Sequence, residues 1–202
     1  MKPLPAAPVI PLNLGGPAQA VGPIRTEGLP SAADPVARAW AVLEQVLDPE
    51  VPALSVVDLG IVREVRAPDA SRPSEVLVAL TPTYSGCPAT EAIEAAVREA
   101  LHAAGFASVQ TELRRAPAWT TDWITAEGRA KLKAYGIAPP GHIQEALGGA
   151  VPIRIVRREP AVACPRCDSA DTERLSAFGT TACKSLWRCR ACREPFEHFK
   201  PL

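Results

Sequence analysis

Two Cys-x-x-Cys pairs near the end of the chain constrain its fold more than any other feature of the sequence. Cys164 and Cys167 form the first pair, and Cys189 and Cys192 form the second, with 21 residues between the two pairs. Two such pairs can place four thiolates about 2.3 Å from one zinc ion. Because four sulfur ligands leave no open position for catalysis, the spacing predicts a structural zinc and a β-ribbon. A redox-active or iron-bearing site is the alternative.

Charge and cysteine distribution exclude several classes of protein. The 202 residues carry 22 basic and 22 acidic side chains, whereas nucleic-acid-binding proteins usually have a basic excess. No segment has the roughly 20 apolar residues that cross a bilayer, and the first 30 residues lack a secretory signal. Five of the six cysteines lie in the last 39 residues, which favours metal binding over disulfides. We therefore expect a cytoplasmic protein without a nucleic-acid or membrane partner.

Composition divides the chain into four parts. Residues 1–31 are rich in proline and poor in aromatics, which predicts a disordered tail. Residues 32–115 are predicted to form a small α+β domain with the order helix, strand, strand, helix, strand. Residues 116–150 are predicted to be a connector with a short helix, and residues 151–202 the zinc ribbon. We expect the cores of the two domains to be joined only through the connector.

Local patterns predict the elements of the α+β domain. An apolar stripe with helical spacing indicates a helix from Pro35 to about Leu47. Two β-rich runs, 56–65 and 75–80, flank a turn and predict a hairpin. A second helix is predicted from Pro88 to the residue before Gly105, and a third strand over residues 106–113.

Cys87 is the most informative thiol outside the two pairs. It lies between Gly86 and Pro88, where a strand gives way to a helix. A sulfur at a helix start is stabilised as the thiolate, which can bind a soft metal or attack an electrophile. A purely structural role is the alternative. His102, about four turns along the same helix, is too far away to act as its base, so we do not expect an independent enzyme.

Cys183 is a fifth cysteine in the C-terminal part, outside the two pairs. It lies six residues before Cys189, and Lys184 follows it directly. A neighbouring ammonium can lower the pKa of a thiol, so a second functional thiol or a substitute zinc ligand is one interpretation. Burial as a small apolar residue is the other.

Three stretches of the sequence resemble the SufT-like iron–sulfur assembly domain family. They are residues 48–52, 55–62 and 81–88, with the sequences DPEVP, SVVDLGIV and TPTYSGCP. Residues 119–125 and 135–140, with the cysteine-rich end, are similar to one branch of that family, the D subunits of bacterial phenylacetyl-CoA epoxidase systems. The resemblance spans about residues 34 to 200.

The resemblance implies an accessory protein of aerobic phenylacetate degradation that matures or repairs an iron–sulfur or di-iron centre. The implied partners are the oxygenase and reductase subunits of the epoxidase, and the implied cofactors are structural zinc and a transient iron–sulfur cluster. Cys87 is implied as the functional thiol, with Asp58, Thr83 and Ser85 beside it. A structural or regulatory subunit of the epoxidase is the alternative function, and a homo-oligomer is compatible with both.

Overall fold

The computed structural model describes residues 24–31, 34–69, 71–84, 89–141 and 162–202. Ser85, Cys87 and the first residues of the predicted ribbon, 151–161, lie outside these ranges, as does most of the predicted tail. Among the described residues, no helix combines the length and apolar character needed to span a bilayer.

Two helices and a three-stranded sheet build the first domain in the predicted order. The elements are α1 (Pro35–Leu43), β1 (Val62–Arg66), β2 (Glu75–Leu80), α2 (Thr90–Ala103) and β3 (Ser108–Leu113). β1 pairs antiparallel with β2, which confirms the hairpin, and β2 pairs parallel with β3 after the crossover through α2. The α+β fold is therefore as predicted.

Capping and apolar spacing explain the two helices. The Asp34 carboxylate accepts a hydrogen bond from the backbone N–H of Ala37 at 2.9 Å, and Pro35 occupies a first-turn position that needs no donor. On α2, Ile93, Val97 and Leu101 recur at helical spacing and are buried. This helix begins at Thr90, two residues later than predicted.

Helix α1 was predicted to end near Leu47 but ends at Leu43. The backbone N–H of Val51 donates to the Asp48 carboxylate at 2.7 Å, and the N–H of Glu50 donates to the same oxygen at 3.0 Å. A carboxylate that satisfies two backbone donors favours a turn over continued helix. The loop after α1 therefore brings both Asp48 and Glu50 into the domain.

The strand predicted over residues 56–65 begins only at Val62. Residues before it form turns, in which the backbone N–H of Gly60 donates to the carbonyl of Val57 at 2.9 Å. Gly60 has a φ of +67°, and a Cβ there would lie 2.5 Å from the Trp123 carbonyl oxygen. The positive φ and the close approach both require glycine.

The connector and the ribbon share one sheet. The connector contains a 3₁₀ helix (Thr121–Trp123), α3 (Ala126–Tyr135) and β4 (Ile137–Ala138), and the ribbon contains β5 (Thr172–Ser176), β6 (Lys184–Cys189) and β7 (Pro195–Phe199). The strand order is β4-β7-β6-β5, with β4 parallel to β7. Connector residues thus extend the ribbon sheet.

One hydrophobic cluster extends from the α+β domain into the ribbon. Cys183 and Phe199 both belong to it. The Phe199 ring lies 6.1 Å from the Trp119 ring, and the Trp119 indole N–H donates to the carbonyl of Leu59 at 2.9 Å. Cys183 and Phe199 also line one cavity together with Leu59, Ile61 and Leu80 of the first domain. The expectation that the two cores are joined only through the connector is therefore wrong, because the ribbon also packs directly on the first domain.

Residues 24–31 differ from the predicted tail. Ile24 and Leu29 pack against the main hydrophobic cluster. The backbone N–H of Arg25 donates to the Gln45 side-chain oxygen at 2.8 Å, and the Gln45 amide donates back to the Arg25 carbonyl at 3.2 Å. This pair of hydrogen bonds fixes the segment beside the end of α1.

Candidate functional site

Two tight turns bring the four paired cysteines together. Cys164 and Cys167 lie in the turn before β5, and Cys189 ends β6 before the turn that holds Cys192. All four Sγ atoms lie within 4.8 Å of one another. The residue after each pair, Asp168 or Arg193, has a positive φ. The left-handed backbone conformation at these two positions reverses the chain direction directly after each pair.

The sulfur positions fit a tetrahedral zinc. Four sulfurs each about 2.3 Å from a tetrahedral centre lie about 3.8 Å from one another. The Sγ atoms of Cys164 and Cys192 are 3.8 Å apart, and those of Cys167 and Cys189 are 3.6 Å apart. The four cysteines therefore form a metal-binding cluster of the zinc-ribbon type.

The thiols of this cluster differ in pKa. The N–H of Cys192 hydrogen-bonds the Sγ of Cys189 at 3.4 Å, and this bond lowers the pKa of Cys189 to about 7. The neighbouring thiols shift the other way, since the pKa of Cys192 is raised to about 12 and that of Cys167 is also raised. Behind the sulfurs, Trp187 and Phe196 form a small buried cluster with Cys164 and Cys189.

Cys183 lies in a different environment, in a cavity shared with the α+β domain. Its side chain is 4% exposed, and the Thr181 hydroxyl is 3.0 Å from its sulfur. The cavity, of about 20 Å³, is large enough for about one water molecule. Its lining includes Thr83 and Thr90 from the α+β domain. The ribbon thus presents a thiol to the other domain.

Burial keeps the Cys183 thiol protonated. Desolvation raises its pKa, the nearby Glu50 carboxylate raises it further, and Lys184 lowers it by less. The Lys184 ammonium is itself engaged, because it pairs with the Glu197 carboxylate at 2.8 Å. Lys184 lowers the pKa of Cys183 as expected, but burial outweighs it and the net shift is upward. A buried neutral thiol is deprotonated when a metal binds to it.

Two carboxylates line the same cavity. Asp48 is 6% exposed, and burial raises its pKa although Val51 and Glu50 donate backbone hydrogen bonds to it. The pKa of Glu50 is also raised, first by burial and then by the charge of Asp48. Cys183 and both carboxyl groups therefore have raised pKa values, and Lys184 is a positive charge close to each of them.

Asp58 is held in a separate place, between the α+β domain and the connector. Its carboxylate accepts hydrogen bonds from the backbone N–H of Ser55 at 2.9 Å and from the Lys131 ammonium at 2.9 Å. Burial alone would raise the pKa of Asp58, but these donors outweigh it and lower the pKa. Gly128 allows α3 to approach, since a Cβ there would lie 2.9 Å from the Asp58 carbonyl oxygen. This carboxylate anchors α3.

The predicted site residues separate into two groups. Thr83 lies on the cavity that contains Cys183, whereas Asp58 does not line that cavity. Ser85 and Cys87 lie outside the described residues. Thr90 and the ionic partner Lys131 were not predicted from the sequence, because neither belongs to a motif that signals a contact with the cavity or with Asp58.

Two family profiles match the chain. Residues 149–200 match the "PaaD zinc beta ribbon domain", and residues 37–111 match the family described as "Iron-sulfur cluster assembly protein". The first range contains the four-cysteine cluster, and the second contains the α+β elements apart from the ends of the first helix and third strand.

Individual proteins are similar to the chain over larger ranges. The D subunit of the "Putative 1,2-phenylacetyl-CoA epoxidase" of Escherichia coli (strain K12) is 48% identical over 162 residues, which cover 80% of this chain and 90% of the relative. A DUF59 domain structure from Bacillus anthracis aligns with a TM-score of 0.44 and 25% identity, over 48% of this chain and 91% of that one. A conserved hypothetical protein from Thermotoga maritima aligns with a TM-score of 0.40 and 30% identity, over 52% and 95%.

Proposed function

Since the chain belongs to the family of 1,2-phenylacetyl-CoA epoxidase D subunits, we propose that it is an accessory protein of a phenylacetyl-CoA epoxidase system. Its proposed task is to mature or repair an iron–sulfur or di-iron centre in partner subunits. The proposed partners are the oxygenase and reductase subunits, with the cytoplasm as the compartment. Iron, alone or as a transient cluster, is the cargo rather than a resident cofactor.

One observation supports this function above the others: the ribbon thiol of Cys183 lies in a cavity of the α+β domain. That cavity is lined by Thr83, four residues before Cys87, and by Thr90, three residues after it. We infer that Cys87 and Cys183 are the two thiol ligands of the cargo. A permanent cluster usually has four protein ligands, so two thiols favour release to a client.

The ribbon zinc has a separate role in this proposal. The four paired cysteines would hold it in a closed site, so it would stabilise the ribbon without taking part in transfer. Its contribution to the cargo site is indirect, because the fold of the ribbon fixes the position of the Cys183 turn. Thr83 and Ser85 are proposed to shape the loop around Cys87, and Asp58 to hold α3 beside it.

Metal analysis of anaerobically purified protein tests the proposal. After reconstitution with ferrous iron and sulfide, the wild-type chain should bind iron with a thiolate-to-iron absorption band. The band should disappear in Cys87→Ala and weaken in Cys183→Ser, with zinc content unchanged. Leu175→Ser, at an exposed ribbon position away from the cavity, is the matched control and should keep the band.

The opposite result would favour a structural or regulatory subunit. Zinc without iron in the reconstituted wild type would overturn the maturation role. A stoichiometric complex with the epoxidase subunits, together with normal epoxidation in cells that carry Cys87→Ala, would then assign the chain to the complex itself.

A further inference from the structure

A wide groove lies on the α+β domain beside the Cys183 cavity. It has a volume of about 1000 Å³ and is bordered by the segment from Ile24, the end of α1, α2 and the start of α3. Its apolar side chains include Leu47, which is 53% exposed. Ile24, Leu29 and Val57 also line the groove, so Leu47 belongs to a larger apolar lining, and contiguous exposed apolar surface marks sites of protein interaction.

The groove carries an excess of negative charge. Its acidic residues are Glu27, Glu44, Asp48, Asp58 and Glu127, and its basic residues are Arg25 and Lys131. Lys131 is already paired, at 2.9 Å, with both Asp58 and Glu127. Within the described ranges, Glu27 and Glu44 have no ion pair. Apart from the group around Lys131, three carboxylates (Glu27, Glu44 and Asp48) face one basic residue, Arg25, and Glu44 and Asp48 lie within three residues of Leu47 in sequence.

We propose that this groove docks a polypeptide segment of a client subunit in which an apolar side chain is flanked by lysine or arginine. The apolar side chain would contact Leu47, and the basic ones would pair with Glu27 and Glu44. Such charge complementarity accelerates encounter and rejects wrong partners. The same charge disfavours an acyl-CoA in the groove, because its phosphates would be repelled.

Asp48 connects the docking groove to the thiol cavity. It lines both spaces. A segment docked along the end of α1 would therefore reach the edge of the cavity that contains Cys183. This inference rests on the proposed function, since it describes the client surface that would receive the cargo.

Binding measurements with the purified oxygenase and reductase subunits of the same system test the docking. The zinc-loaded full-length chain is immobilised, and each subunit is passed over it at 50 and 300 mM salt. Glu44→Lys and Leu47→Asp should each weaken binding of the client about tenfold or more, and high salt should weaken the wild type. Glu99→Lys, an exposed acidic residue of α2 outside the groove, is the matched control and should bind normally.

Several results would overturn the docking proposal. One is unchanged binding by zinc-loaded Glu44→Lys and Leu47→Asp, and another is the absence of binding by the wild type. If Glu44→Lys and Leu47→Asp changed only the oligomeric mass of the chain in gel filtration and not its binding to the client, the groove would be assigned to a second copy of the chain. Crosslinks from a photo-crosslinker at position 47 to residues 1–23 of the same chain would assign it to that segment.

The iron-loading result separates this inference from the proposed function. Cys87→Ala should lose iron but still bind the client subunit, whereas Glu44→Lys should load iron but bind the client weakly. If Glu44→Lys loads iron and binds normally, only the docking proposal fails. If the wild type binds the client without loading iron, only the maturation role fails.

Discussion

The ribbon places its cysteines in two contrasting environments. In the four-cysteine cluster, sulfurs 3.6 to 3.8 Å apart converge, and a backbone donor lowers the pKa of Cys189. At Cys183 a single sulfur is buried against another domain, and its pKa is raised. The first environment has four ligand atoms in place for one metal ion. The second offers a single sulfur, so under the proposed function a metal held there would need further ligands from elsewhere.

The largest expected effect is the difference between substituting a cysteine of the four-cysteine cluster and substituting Cys183. Cys164→Ser should release zinc and unfold the ribbon, because metal binding supplies on the order of 10 kcal/mol to such domains. Zinc content and far-UV circular dichroism measure the outcome. Cys183→Ser is the control and should keep its zinc. Full zinc retention by Cys164→Ser would remove the contrast between the two environments.

The contact between ribbon and α+β domain should give the next largest effect. Phe199 is 1% exposed, so Phe199→Ala should lower the free energy of unfolding by about 3 to 5 kcal/mol while zinc remains bound. Urea unfolding gives the value. Phe178→Ala, at a position 64% exposed, is the control and should cost less than about 0.5 kcal/mol. Equal effects of the two substitutions would contradict a shared core.

The burial of Cys183 should be visible in the rate at which its thiol reacts. In the native zinc-loaded chain, N-ethylmaleimide should label Cys183 on the order of tenfold more slowly than after unfolding, because the thiol is buried and protonated. Mass mapping of the labelled peptides checks this. Phe199→Ala, which loosens the contact, should accelerate labelling. Rapid labelling in the native wild type would place Cys183 among exposed thiols.

The Asp58–Lys131 pair should give the smallest effect. Lys131 is 40% exposed, so Lys131→Met should cost about 0.2 to 1 kcal/mol at pH 7, and Lys131→Arg should cost less. The folded pKa of Asp58 is below 3.8 and that of Lys131 is above 10.5. The stabilisation is therefore present between these ordinary values and is lost as the pH falls through the folded pKa of Asp58.

Unfolding by urea at pH 7 and again near pH 3 measures this dependence. The difference in stability between wild type and Lys131→Met should begin to shrink at the lower pH, because the carboxyl of Asp58 in the unfolded chain is then largely protonated and the stabilisation is lost as the pH falls toward the folded pKa. A difference that stays constant with pH would mean that packing of the lysine chain, rather than its charge, contributes the effect.

The elements that the sequence predicts well are those whose signals are local. The spacing of Cys164, Cys167, Cys189 and Cys192 is sufficient to predict the ribbon cluster, and the Asp34-Pro35 pair marks the start of α1. The strand predicted over residues 56–61 was wrong, because their apolar character suits a strand but contacts from distant parts of the chain make them turns. The turn there depends on hydrogen bonds to Asp58 and on the approach of Trp123 to Gly60, which a local pattern does not contain.

The thiol cavity could not be predicted because it is made by contacts between distant parts of the chain. Cys183 is about 100 residues from Thr83 and Thr90, and nothing near it in sequence signals that contact. Its neighbour Lys184 pointed to an activated thiol, yet the structure pairs that ammonium with Glu197. Burial between domains decides the protonation of this cysteine, and burial is a property of the whole fold.

The position of β7 also bears on the order in which the chain can fold. β7 lies between β4 and β6, so one of the two inner strands of this four-stranded sheet is translated after the other three strands. A product that terminated at Glu194 would contain every zinc ligand and still lack the strand that joins the two sides. Biosynthesis must therefore reach Phe199 before the ribbon can close on the domain made first.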